Sequence, residues 1–219
     1  MYQHKWHTGE AINLPTGKTV CIGRNYAAHA QELNNPIPSR PILFIKPCTC
    51  LQPFKEIKLA KRLGEHHYEA ELALLVGETI SYGDKDVLTK IAGVGLALDL
   101  TLRDVQSELK SKGHPWERAK AYDGSCPVTP FYQLESATEL ARAEYKYWQN
   151  SELKQHGKTQ LMLFSIERLL KEITELFTLC PGDLVLTGTP EGVGVLHHGD
   201  MLQLQYQTYS PINAFVTID

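Results

Sequence analysis

Three carboxylates interrupt apolar runs in this chain: Glu69 and Glu71 in HYEAELALLVG, and Asp99 in GLALDLTLRD. A bare charge buried in such surroundings is costly unless something neutralises it. In an extended segment residues two apart share a face, so Glu69 and Glu71 present both carboxylates to the same space, which suits a hard divalent cation. A lone E-x-E reads first as the solvated start of a strand, with Asp99 as a cap on another. A third acid inside an apolar run favours a shared cation.

Other segments add proton-transfer and anion-binding chemistry. In GRNYAAHAQE, His29 and Glu32 fall on one face of a short helix, three residues apart. A carboxylate on one imidazole nitrogen fixes the tautomer and frees the other nitrogen as a general base. Alone, the pair reads better as solvated residues on a surface helix. In DLTLRDVQ, Arg103 and Gln106 share a helical face and could orient a substrate carboxylate or carbonyl; Arg103 could instead pair with Asp99, Asp104 or Glu108. Lys120, among small residues in GHPWERAKAYDGSCPV, could stabilise a developing enolate, or be an ordinary surface lysine. The PGDLVLTGTPEGVG segment reads as turn, strand and glycine-rich loop whose amides could approach a ligand, with Thr189 its notable hydroxyl. It lacks the Gly-Lys-Ser/Thr ending of a phosphate loop and the G-x-G-x-x-G pattern, which disfavours nucleotides.

The elements that must hold these residues are mostly strands. Apolar or β-branched runs predict strands at Thr19 to Ile22, Ile42 to Ile45, Glu71 to Val76, Val94 to Leu98, Asp183 to Thr187, Met201 to Tyr206 and Ala214 to Ile218. A helical stripe of Ile166, Leu169, Leu170, Ile173, Leu176 and Phe177 behind a Ser165 cap predicts a core helix. Shorter helices are expected at Asn25 to Leu33 and Thr101 to Lys110. The fold class is therefore α+β, mainly β.

Composition narrows the partners. A net charge of −3 over 219 residues, with no run of like charge, gives no footprint for nucleic acid or anionic membrane, so a small molecule is expected. The apolar stretches are too short for a bilayer span and the N-terminus lacks a signal peptide's apolar core, which places the chain in the cytoplasm by default. Five scattered cysteines read as reduced thiols, and Cys48-x-Cys50 lacks a partner pair at zinc spacing.

The ordered set GRNYAAHAQE, HYEAELALLVG, LDLTLRDVQ, PWERAKAYDGSCPV and GDLVLTGTPEGVG resembles the fumarylacetoacetate hydrolase family, especially its short single-domain branch of acylpyruvate hydrolases and oxaloacetate decarboxylases or tautomerases. The resemblance covers roughly Lys18 onward, implying a lead-in at 1–17 and one catalytic domain at 18–219. It implies a mixed β-roll, usually a homodimer. It carries the catalytic dyad onto His29 and Glu32, the active-site lysine onto Lys120 and the metal ligands onto Glu69, Glu71 and Asp99. Substrate contacts fall on Arg24, Gln106 and Thr189. Near relatives often have an N-G-E turn where this chain has Gln149-Asn150-Ser151-Glu152.

The expected activity is Mg²⁺- or Mn²⁺-dependent hydrolysis of a carbon–carbon bond in β-diketo acids such as acylpyruvates or fumarylpyruvate. The alternatives are oxaloacetate tautomerisation or decarboxylation, or isomerisation of a 2-hydroxyhepta-2,4-diene-1,7-dioate. A reading from another class, a binding protein stabilised by a structural metal, predicts a coordinatively closed site, whereas three protein oxygens leave six-coordinate Mg²⁺ open.

Overall fold

In the computed structural model, which describes residues 2–33 and 35–219, two curled sheets carry most of the chain. The larger has eight strands, ordered Ile42–Lys46, Thr19–Gly23, Leu184–Leu186, Ala70–Val76, Ile91–Leu98, Cys126–Val128 and Leu51–Pro53, with Tyr132–Gln133 also pairing Ile91–Leu98. The second has five: Glu152–Lys158, Glu144–Gln149, Met201–Tyr206, Ile212–Ile218 and Glu56–Leu59. A three-stranded ribbon of Gly194–Val195, His66–Tyr68 and Thr101–Leu102 lies beside the site described below.

Strand parity divides the core in two. Along Ala70–Val76, Leu72, Leu74 and Val76 enter one apolar cluster with Tyr145, Tyr147 and Leu169, while Ala73 and Leu75 enter a second with Cys21, Ala97, Phe131 and Leu186. A strand packed on both faces reads as a continuous apolar run, which is why LALLV carries no polar residue. Glu71 has the parity of Ala73 and Leu75, so its carboxylate opens on the second face, at the end of the run.

All seven expected strands form, with ends shifted by up to three residues. The Glu144–Gln149 and Glu152–Lys158 hairpin was not among them, although Tyr145 and Tyr147 alternate with polar residues. Its turn places Asn150 and Ser151 at φ 51° and 68°, the double left-handed geometry that ordinarily recruits glycine. Ser165 caps the expected helix through the Arg168 N–H, but that helix ends at Thr174 and leaves Leu176 70 % exposed. The expected Thr101 to Lys110 helix starts only at Arg103, because Thr101 and Leu102 pair with His67 and His66 as a strand. All five cysteines are free thiols. Among the described residues no helix is long and apolar enough to cross a membrane.

Candidate active site

Strand register assembles the acids. Ala70 to Val76 runs antiparallel to Ile91 to Leu98 with Ala70 opposite Leu98 and Glu71 opposite Ala97. One step further, the Asp99 N–H donates to the Glu69 carbonyl at 2.8 Å. Residues directly opposite share a face, so Asp99 joins Glu69 and Glu71 on one side of the sheet. One oxygen from each lies within 4.8 Å of the others, and all three residues are buried.

Cations meet this triad from three other elements. Lys120, from the short helix Glu117–Lys120, places Nζ 2.7 Å from Glu69 Oε2 and 2.6 Å from Asp99 Oδ2. Arg103 pairs with the second Glu69 oxygen and donates to Gln106 Oε1 at 2.9 Å. It therefore engages none of the three acids that its sequence neighbourhood offered. Lys46, fully buried at the end of Ile42–Lys46, lies 3.0 Å from Asp99 Oδ1 and donates to the Lys120 carbonyl and to Ser125 Oγ at 2.9 Å.

The acids titrate in opposite directions. Burial pushes Glu69 up, but Lys120, Arg103 and His29 outweigh it and hold the carboxyl below its ordinary range. Burial, then Asp99 and Glu69, push Glu71 well above that range against the Gly188 N–H and Lys120. Glu71 has no cationic partner among the described residues; its Oε2 accepts from Gly188 N at 2.6 Å. Asp99 Oδ1 also has no hydrogen-bonded donor, since Lys46 is close but off line. Three hard oxygen donors with an acid short of positive charge fit Mg²⁺ or Mn²⁺.

Above the triad, the helix Ala27–Glu32 brings His29 Nδ1 to 3.4 Å from Glu32 Oε2, with His29 buried. Burial lowers the imidazole from its ordinary value, helped by Arg103 and opposed by Glu69 and Glu32. Glu32 also accepts from the Gly192 N–H at 3.0 Å, which ties this helix to the glycine-rich loop. Gly188 and Gly192 thus spend their amides on Glu71 and Glu32, so these two do not serve as the free ligand donors expected of that loop.

Asn25 anchors the start of the helix. Its amide donates to the Thr187 carbonyl at 2.8 Å and the Phe164 carbonyl at 3.2 Å, and Oδ1 accepts from Phe164 N at 2.8 Å, all fully buried. Gly188 sits so close that a Cβ there would lie 2.6 Å from Asn25 Cβ. Asn25→Ala strands these partners and is expected to lower unfolding free energy by about 3 kcal/mol in urea titration; an unchanged midpoint would remove Asn25 as an anchor.

One cleft is lined by every site residue expected from the sequence except Glu32, itself held beside His29. Arg24, at φ 59°, lines it where the chain leaves its strand. Gln106 and Thr189 line it too, with the Thr189 hydroxyl donating to the Ala70 carbonyl and accepting from Gln155, both at 2.9 Å. Two lining or supporting cations were not singled out from sequence. Lys46 ends an apolar strand and carries no local signal, whereas Lys110 follows Arg103 and Gln106 at helical spacing and could have been noticed.

The chain is similar to known proteins over nearly its whole length. The chain is 42% identical to an oxaloacetate tautomerase of Escherichia coli over 96% of this chain and 97% of that protein. It is 38% identical to a mitochondrial oxaloacetate decarboxylase of Dictyostelium discoideum over 90% of this chain and 89% of that protein. The crystal structure of fumarylpyruvate hydrolase from Pseudomonas aeruginosa in complex with Mn²⁺ and pyruvate superposes with a TM-score of 0.89 at 29% identity, covering 100% of this chain and 96% of that one. Residues 18–217 match the fumarylacetoacetate hydrolase C-terminal family, and with these relatives the match makes the chain a member of the fumarylacetoacetate hydrolase family.

Proposed function

We propose that this enzyme interconverts the enol and keto forms of oxaloacetate in a divalent-metal site. The observation that carries the reading is the placement of a buried three-carboxylate cluster and a His/Glu pair around one small cleft. The names of the E. coli and Dictyostelium relatives favour oxaloacetate as substrate over the β-diketo acids first expected.

In this reading Glu69, Glu71 and Asp99 hold Mg²⁺ or Mn²⁺. When bound, the metal would supply Lewis-acid polarisation of the substrate's 2-oxo oxygen. His29, neutral because burial lowers its proton affinity, removes a proton from C3 of the keto form or returns one to C3 of the enol. Glu32 orients the ring and steadies the imidazolium while it carries that proton. Lys120 has placed two donors on Glu69 and Asp99, and its third N–H is available to the substrate oxygen on which negative charge develops. The net change moves one proton between C3 and the 2-oxo oxygen, with no water consumed.

Hydrolysis of an acylpyruvate is the second reading, favoured by the fumarylpyruvate hydrolase structure. The test follows the ultraviolet enol band of oxaloacetate with protein plus Mg²⁺ or chelator, alongside a pyruvate assay. Metal-dependent relaxation of that band without pyruvate is expected. Pyruvate released from acetylpyruvate at a comparable or greater rate would replace the tautomerase reading with the hydrolase.

A further inference from the structure

Four cationic side chains line the cleft: Arg24, Arg103, Lys110 and Lys120. Arg103 and Lys120 are committed to the carboxylate cluster. Arg24 and Lys110 are not: among the described residues neither forms an ion pair or a side-chain hydrogen bond. Lys110 Nζ instead stands 5.3 Å from the centroid of the Trp116 ring.

Helix geometry explains how Lys110 reaches this space. Arg103, Gln106 and Lys110 follow one face of the Arg103–Ser111 helix, at spacings of three and four residues. Long helical side chains lean toward the N-terminus, which carries the Lys110 ammonium back over the turn that holds Gln106. Burial, then Arg24 and Arg103, push that ammonium down to about 8. Its ammonium and the Arg24 guanidinium line the same cleft, and neither is paired with one of the cleft's carboxylates, of which Glu69 and Asp99 are held by Arg103, Lys120 and Lys46.

We propose that Arg24 and Lys110 form a subsite for a second carboxylate, so that the cleft selects dicarboxylic 2-oxo acids over those whose far end is neutral. The inference rests on the reading that the metal cluster receives the 2-oxo end of the substrate. With that end anchored at Glu69, Glu71 and Asp99, the far end of a short acid extends toward the two unpaired cations. A planar guanidinium and a flexible ammonium give complementary hold on one carboxylate.

The test measures binding rather than turnover. Oxaloacetate and 2-oxobutanoate have the same number of carbons and differ at C4, a carboxylate in one and a methyl in the other. Calorimetric titration of the Mg²⁺-saturated protein is expected to show at least about tenfold tighter binding of oxaloacetate. Arg24→Met and Lys110→Met each reduce that preference severalfold, and the double variant erases it. Absence of the preference in the wild-type protein would overturn the subsite, as would equal weakening of both ligands in the variants. An intact preference in a protein that does not catalyse enol–keto exchange would sink the tautomerase reading and leave the subsite standing.

Discussion

His29→Ala lowers kcat for enol–keto exchange by about 10²- to 10⁴-fold, the range for loss of a positioned general base, while metal affinity is unchanged. The expectation follows from a buried imidazole that lines the cleft with Nδ1 toward Glu32. It has a companion in the pH profile. A base acts when unprotonated, and His29 is held below the ordinary histidine value of 6.5, by burial first. Activity therefore persists as pH falls through 6.5 and declines only at lower pH. In His29→Ala that acidic limb disappears. Stopped-flow decay of the enol band across pH, at saturating Mg²⁺, reads both effects; an unaltered rate would return His29 to the role of a buried structural residue.

Lys46→Met is expected to lower stability by about 3 kcal/mol in urea unfolding with chelator present. Burial pushes the Lys46 ammonium down, yet Asp99 together with Cys21, Cys126 and Cys50 outweighs it and the proton is held more firmly than in an ordinary lysine. Removing the charge leaves Asp99 with Lys120 alone and takes one donor each from the Lys120 carbonyl and the Ser125 hydroxyl, which keep only their bond to each other. Because a bound cation also compensates buried carboxylates, saturating Mg²⁺ should restore part of the loss. A midpoint equal to wild type would mean that Lys120 suffices to neutralise Asp99.

The two residues differ in how far they were readable beforehand. His29 and Glu32 lie three apart in one short segment, so helix geometry alone pairs them. Glu69 and Glu71 share a face by the two-residue repeat of a strand, which is local in the same sense. The Ile166 to Ile173 stripe and its Ser165 cap were legible for this reason too. Where the stripe failed, at Leu176, the helix had already ended, and periodicity cannot register a helix end set by tertiary packing. The Tyr145 and Tyr147 hairpin was encoded by alternation but obscured by its many polar residues.

Which cation meets which carboxylate belongs to another level. Arg103 had Asp99, Asp104 and Glu108 as sequence neighbours, yet it reaches Glu69, because Thr101 and Leu102 form a strand beside His66–Tyr68 and set the helix start there. Lys46 meets Asp99 across more than fifty residues of chain through the order of strands in the larger sheet. The chemistry of the donor set and its local spacing were written in the residues, since parity and helical repeat act over two to four positions. The partners of the charges, and the two cations left without one, followed from strand register and sheet order, because electrostatic pairing depends on distances that only the closed fold establishes.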